Sequence, residues 1–230
     1  MGGTGLKSIE PIARIETPYR TKFGVPRQAG LVEAECRVVM EEKYRVAEAL
    51  RGIEDFEYLW LVWGFDRNEG AEWTPTVRPP RLGGNKRVGV FATRSPFRPN
   101  GLGLSCVRLV RVAAEMADGM VLYVSGADLT NGTPIYDIKP YLPYTDSHEG
   151  ARAGFAQERP ARNLQVVDPE GWLDGMADAE VLKAALEQDP RPHYHNDPQR
   201  VYAMEFGEVE VHFTVDGEKI LIKRCNKTAE

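Results

Sequence analysis

Several short runs of the chain alternate apolar and polar residues with a period of two, the spacing that puts successive side chains on opposite faces of a β-strand. AECRVVM (34–40) reads this way. FEYLWLVWGF (56–65) is dense in aromatic and branched residues and bounded by charge, so it predicts a buried central strand. RVGVFAT (87–93), LSCVRLVRV (104–112) and MVLYVSGA (120–127) add three more. The second of these puts Leu104, Cys106, Arg108 and Val110 on one face and Ser105, Val107, Leu109 and Arg111 on the other. RVYAMEF, EVEVHFTV and EKILIKR predict a terminal three-stranded meander, its last hairpin closed by Asp216-Gly217 as a type I′ turn.

Helical spacing is rarer. Tyr44–Leu50 predicts one or two helical turns ending at Gly52, and Asp178 stands as the N-cap of AEVLKAALEQ, where Val181, Leu182, Ala185 and Leu186 share a face. Asp189-Pro190 ends that helix. The expected fold is therefore mainly β (α+β), a β-barrel-like single sheet over residues 1–160 followed by a small helix-plus-β module over 161–230. Residues 151–169 read as a linker or crossover, and the loop 66–85 is longer than ordinary connections, as functional loops often are.

Charge changes the picture most. The chain is acidic, with 29 Lys and Arg against 34 Asp and Glu. Yet residues 74–114 contain no acid and eight cations, Arg78, Arg81, Lys86, Arg87, Arg94, Arg98, Arg108 and Arg111, which leaves 21 basic against 34 acidic elsewhere. Such segregation points to an anion-binding face, since solubility alone is served by mixed signs. The N-terminus lacks the apolar core of a signal peptide and Leu6 breaks the myristoylation pattern, so a cytoplasmic protein without a membrane partner is expected. Cys36, Cys106 and Cys225 show no C-x-x-C spacing and read as reduced buried thiols.

Familiar motifs are excluded one by one. GLGLS (101–105) has Cys106 where a dinucleotide fingerprint needs glycine, and a strand pattern follows where that motif needs a helix. LGGNK lacks the P-loop spacing, no serine sits in G-x-S-x-G, and His193 and His195 have no cysteine or carboxylate cluster beside them, so no metal is expected. What remains is RSPFRPN, in which Pro96 and Pro99 stiffen a loop bearing Arg94 and Arg98, a setting suited to bidentate carboxylate or phosphate recognition. Further on, DLTNGTPIYDIKPYLPY gathers Asp128, Asp137 and Lys139 around an Asn131-Gly132 turn, which an internal ion pair explains as well as a site does.

Read in that order, PRLGGNKRVGVFATRSPFRPNGLGLS and DLTNGTPIYDIKPYLPY resemble the TsaA-like, or TrmO, family of tRNA methyltransferases, and the likeness extends upstream through KFGVPRQAGLV and downstream to EQDPRPHYH. The resemblance implies a β-barrel enzyme that binds S-adenosylmethionine, works as a homodimer and methylates N6 of threonylcarbamoyladenosine at position 37, beside the tRNA anticodon. It places the methyl donor against Pro26, Arg27, Gln28, Asp66, Arg67, Arg94, Leu104, Ser125, Gly126, Ala127 and Asp128. Asp66 stands where the family commonly has His, and Asn131 where it has Asp.

The modified N6 is a poor nucleophile, so a group should take its proton, with Asp137 and Tyr141 the candidates. Arg98 or Lys139 would meet the threonyl carboxylate, and Arg78, Arg81, Lys86 and Arg87 the anticodon-loop phosphates. Loop bases would stack on Phe97, Tyr136, Tyr141 or Tyr144, each of which serves equally well as core. Two other readings stay open at this point: a non-catalytic RNA- or anion-binding module of the same fold, and a methyltransferase acting on another substrate.

Overall fold

A computed structural model describes residues 8–68, 70, 72–157, 164–192, 195 and 197–228. His193 lies outside the described residues. The first part of the chain supplies β1 (Ala13–Glu16), β2 (Glu35–Met40), β3 (Tyr58–Gly64), the two-residue β4 (Thr76–Val77) and β5 (Val88–Gly89), β6 (Leu102–Glu115), β7 (Gly119–Ser125) and β8 (Pro134–Pro140). After a single turn of helix, α1 (Pro143–Asp146), come β9 (Gln165–Val167), α2 (Ala179–Glu187), β10 (Tyr202–Phe206), β11 (Val209–Asp216) and β12 (Lys219–Lys227).

Six strands pair in the order β1-β2-β7-β6-β3-β8, and the ring returns to β1 through Ala13 opposite Ile135 and Arg14 opposite Pro134. The expected mainly-β, barrel-like fold is what forms. Alternation dictates the interior: Ile15, Val38, Leu59, Leu61, Val107, Leu122, Val124 and Ile135 point inward and are buried. On β6, Ser105 and Val107 face in and Leu104 faces out, as the period-two reading places them. A register shift between Leu109 and Arg111 breaks the alternation there, so Arg111 turns outward and lays its guanidinium 3.5 Å from the centre of the Tyr123 ring. Closed pairing of this kind also removes most exposed strand edges.

The C-terminal residues form a four-stranded sheet in the order β10-β11-β12-β9, covered by α2 through Leu182, Ala185 and Leu186. Its core is continuous with the barrel's: Tyr19 meets Phe206 edge to face at 5.8 Å, and the Gly207 N–H donates to the Pro18 carbonyl at 2.7 Å.

Four local expectations are corrected. The stretch from Tyr44 to Leu50 is not regular helix; it runs as tight 3-10 turns at Glu42–Tyr44 and Ala47–Leu50 that bury no side chain fully, leaving nothing to sustain an amphipathic helix. RVGVFAT keeps strand geometry only at Val88 and Gly89, after which Val90–Ala92 coil into a 3-10 turn that tucks Val90 inside. The supposed linker contains β9, which runs parallel to β12. The last hairpin loop is Gly217-Glu218, with positive φ at Gly217 alone, the II′ pattern; Glu218, unlike glycine, resists the second positive φ that type I′ needs. Among the described residues, no helix is long and apolar enough to cross a membrane.

Candidate active site

One end of the barrel gathers three loops: residues 22–30 after β1, residues 65–68 after β3, and residues 126–133 between β7 and β8. They are fastened to one another by the backbone. Gly30 N–H donates to the Gly126 carbonyl at 2.8 Å, and Gly126 N–H reaches the Ala34 carbonyl at 3.4 Å. Gly126 has φ +86°, and a Cβ there would lie 3.4 Å from the backbone of Gly30, so glycine permits both the turn and the close approach.

Between the loops lies a cavity of about 210 Å³ walled by Val25, Pro26, Trp63, Phe65, Pro96 and Leu129, with Lys22, Asp66, Arg67 and Asp128 as its charged groups. Against it, sharing Phe65, Asp66, Asn68 and Pro96, lies a second cavity of about 310 Å³ lined further by Arg98, Asn100, Leu102 and Tyr136. In the smaller cavity a few charged groups meet mainly apolar walls, the usual make-up of a small-molecule site, whereas the larger is lined mostly by polar surface.

Asp128 is the most perturbed acid in the site. Its carboxyl is pushed above the ordinary aspartate value by burial, and the Ser105 hydroxyl and Arg94 only partly offset this. Behind it runs a polar chain, in which the Trp63 indole N–H donates to Ser105 Oγ at 2.9 Å and Ser105 donates in turn to Asp128. Gly103 makes the chain possible, because a Cβ there would meet the Trp63 ring at 2.3 Å. Arg94 donates to the Gln28 side-chain oxygen across the same mouth.

Of the residues expected at the methyl donor, Pro26, Asp66, Arg67 and Asp128 line the smaller cavity, and Gln28 and Arg94 bond to each other beside it. Ser125, Gly126 and Ala127 are buried in the strand-to-loop passage leading to Asp128. Leu104 is 52% exposed on the outer barrel face. Arg27 turns away: its guanidinium donates to the carbonyls of Asp189 at 2.9 Å and Arg191 at 3.3 Å, in the C-terminal module. Asp189 and Arg191 are themselves a buried pair at 2.8 Å.

The proton-accepting candidates lie elsewhere. Asp137 pairs with Lys139 at 3.0 Å on the outside of β8, and the Tyr141 ring packs near Trp60 and Tyr58, at 5.9 and 6.2 Å between centroids. Neither Asp137 nor Tyr141 lines either cavity.

In the basic segment, Arg78, Arg81 and Lys86 are exposed, whereas Arg87 braces its own hairpin through Thr76, at 2.7 Å to the hydroxyl and 3.0 Å to the carbonyl. Arg98 donates through its guanidinium to the Thr93 carbonyl at 2.8 Å, which holds that group at the edge of the larger cavity. Sequence reasoning missed Trp63, Ser105, Phe65 and Asn100. The glycines inside strands, Gly64 and Gly103, were the available signal: a Cβ at Gly64 would come within 2.7 Å of Tyr136, and strand glycines mark such approaches.

Fold and site together define a β-barrel protein with a paired small-molecule cleft, bordered by a cation-rich, acid-free loop segment. Comparison with known proteins makes this particular. The tRNA-methyltransferase O N-terminal domain model matches residues 14–147 and the TrmO C-terminal domain model matches residues 169–228. The chain belongs to the tRNA-methyltransferase O family.

A tRNA (adenine(37)-N6)-methyltransferase of Escherichia coli K12 is 41% identical over 218 residues, covering 90% of this chain and 92% of that protein. One from Eikenella corrodens is 45% identical over 175 residues, covering 73% and 96%. A crystal structure of TrmO from Pseudomonas aeruginosa superposes with a TM-score of 0.76 at 30% identity, covering 96% of this chain and 98% of the other.

Proposed function

We propose that this chain is an S-adenosylmethionine-dependent tRNA methyltransferase acting on N6 of adenine 37, and that the adenine it takes carries the threonylcarbamoyl group. The names of the relatives support the reaction class. The observation that carries the reading for this chain is the smaller cavity, where Asp128, Asp66, Arg67 and Lys22 meet apolar walls.

These residues fit the donor, which has a cationic sulfonium, an amino-acid end of both signs and an adenine. Arg67 in the wall and Arg94, bonded to Gln28 outside it, offer guanidinium donors for a carboxylate, Asp66 and Asp128 accept from ammonium or hydroxyl groups, and Trp63, Phe65 and Leu129 supply apolar surface. Bound there, the donor supplies an electrophilic methyl group. The chain's contribution is chiefly to position donor and acceptor at contact, which accounts for much of the acceleration of such displacements. Arg78, Arg81 and Lys86 hold the anticodon-loop phosphates, and Arg87 presents their hairpin. Arg98, at the edge of the larger cavity, serves the substrate's carboxylate, whereas Lys139, Asp137 and Tyr141 line neither cavity and take no part in this reading of the reaction.

The same proposal includes a cytoplasmic homodimer, with residues 1–160 as the catalytic domain and 161–230 as the accessory module. Mass spectrometry of tRNA nucleosides from cells lacking the gene tests the reading: one methyl group should vanish from threonylcarbamoyladenosine, and an unchanged nucleoside profile would refute it. Separately, stabilisation of the purified protein by S-adenosylmethionine distinguishes an enzyme from a module that only binds RNA.

A further inference from the structure

The larger cavity has no assigned occupant, and it adjoins the proposed donor cavity through Phe65, Asp66, Asn68 and Pro96. We infer that it receives the acceptor itself, a purine turned out of the anticodon-loop stack whose N6 substituent carries a carboxylate; this rests on the function proposed above.

Three features point to that ligand. First, position: a reacting amine must come to contact distance of the donor, and among the described residues the four just named wall both cavities. Second, chemistry: Tyr136 and Leu102 offer flat and apolar surface, Asn100 and Asn68 carry the amide donor–acceptor pairs that read purine edges, and Arg98 brings a guanidinium for an anionic substituent. Arg98 is already held by its bond to the Thr93 carbonyl, so little side-chain freedom remains to be lost on binding. Third, access: the cavity lies beside the acid-free segment that bears Arg94 and Arg98, which favours approach of a polyanion. A base inside a stack cannot present N6 to a cleft of this kind, so enzymes acting on bases extrude them or use unstacked ones.

The test uses the full chain, S-adenosylhomocysteine as the donor-site probe, and an anticodon stem-loop with 2-aminopurine at position 37 as the acceptor-site probe. With the wild-type protein, 2-aminopurine fluorescence should change on binding as the base leaves the stack. Leu102→Trp, which fills the larger cavity, should abolish that change while S-adenosylhomocysteine binds with unaltered affinity. Should Leu102→Trp fail to fold, Asn100→Ala on the exposed rim gives the same comparison with a weaker signal. Arg98→Ala should weaken binding of the threonylcarbamoyl-bearing stem-loop about tenfold more than binding of the unmodified stem-loop. The inference is overturned if the wild-type protein binds both probes with no 2-aminopurine response, or if Leu102→Trp removes S-adenosylhomocysteine and spares the RNA signal. A wild-type protein that binds neither probe would instead overturn the proposed function.

Discussion

Asp128 in the barrel and Asp189 in the C-terminal module are both withdrawn from water, and they respond in opposite ways. Burial pushes the Asp128 carboxyl up, and its neighbours, a hydroxyl and the exposed Arg94, only partly compensate. Burial pushes Asp189 up as well, but the hydrogen-bonded Arg191 and the charge of Arg27 outweigh it and hold that carboxyl below the ordinary range. The difference separates two uses of a buried charge. Asp189 is satisfied within the chain and fixes a turn, even at φ +52°, a left-handed conformation uncommon outside glycine. Asp128 lines a cavity and has no hydrogen-bonded cation such as Asp189 has in Arg191, the condition expected of a carboxyl placed to meet a ligand.

The comparison is sharpened most by removing the partner of the satisfied acid. Arg191→Ala leaves Asp189 buried against Arg27 alone and should cost about 3 kcal/mol of stability, read by denaturant unfolding. A loss below about 1 kcal/mol would show that the pair is not structural in this sense. Next in size, Asp128→Asn keeps the shape and the Ser105 contact and removes the charge. Affinity for S-adenosylmethionine should fall about tenfold with no loss of melting temperature at neutral pH. A variant that loses stability and keeps affinity would place Asp128 with Asp189 among the structural acids.

The two carboxyls should also leave opposite signatures in stability against pH. For Asp189, lowered in the fold, the stabilisation is present above about pH 4 and disappears as pH falls through its folded value. For Asp128, raised in the fold, the contribution is present below about pH 4 and fades as pH climbs through the raised value. Melting curves from pH 3 to 7 of Asp189→Asn and Asp128→Asn should therefore depart from the wild-type profile with opposite slopes; departures of the same sign would contradict the contrast. The smallest effect belongs to the exposed cations. Arg81→Ala should lower tRNA affinity modestly, reduce the slope of log affinity against log salt by about one, and leave donor affinity alone.

Much of the barrel was legible in the sequence because a closed sheet needs strict alternation. FEYLWLVWGF yields β3 and AECRVVM yields β2. Ring closure between β1 and β8 was not legible, since only Ala13 and Arg14 pair with that strand and so short a register leaves no pattern. Nor was the 3-10 turn at Val90–Ala92, where β-branched and aromatic residues imitate a strand while the chain coils to bury Val90.

At the site, the resemblance directed attention to Pro26, Asp66, Arg67 and Asp128, which the fold does bring to one cavity. It said nothing of Trp63 and Ser105, whose polar chain depends on inward strand positions otherwise indistinguishable from core. The turn of Arg27 toward Asp189 was equally hidden, because 162 residues separate the two and no local pattern links them.

A crystal structure of the protein with S-adenosylhomocysteine bears most directly on the whole account. The ligand should lie in the cavity bounded by Lys22, Pro26, Arg67 and Asp128, with a polar group of the ligand within hydrogen-bond distance of the Asp128 carboxyl. Density for the ligand in the larger cavity against Tyr136, or on the outer barrel face over Leu104 with Asp128 uncontacted, would contradict it.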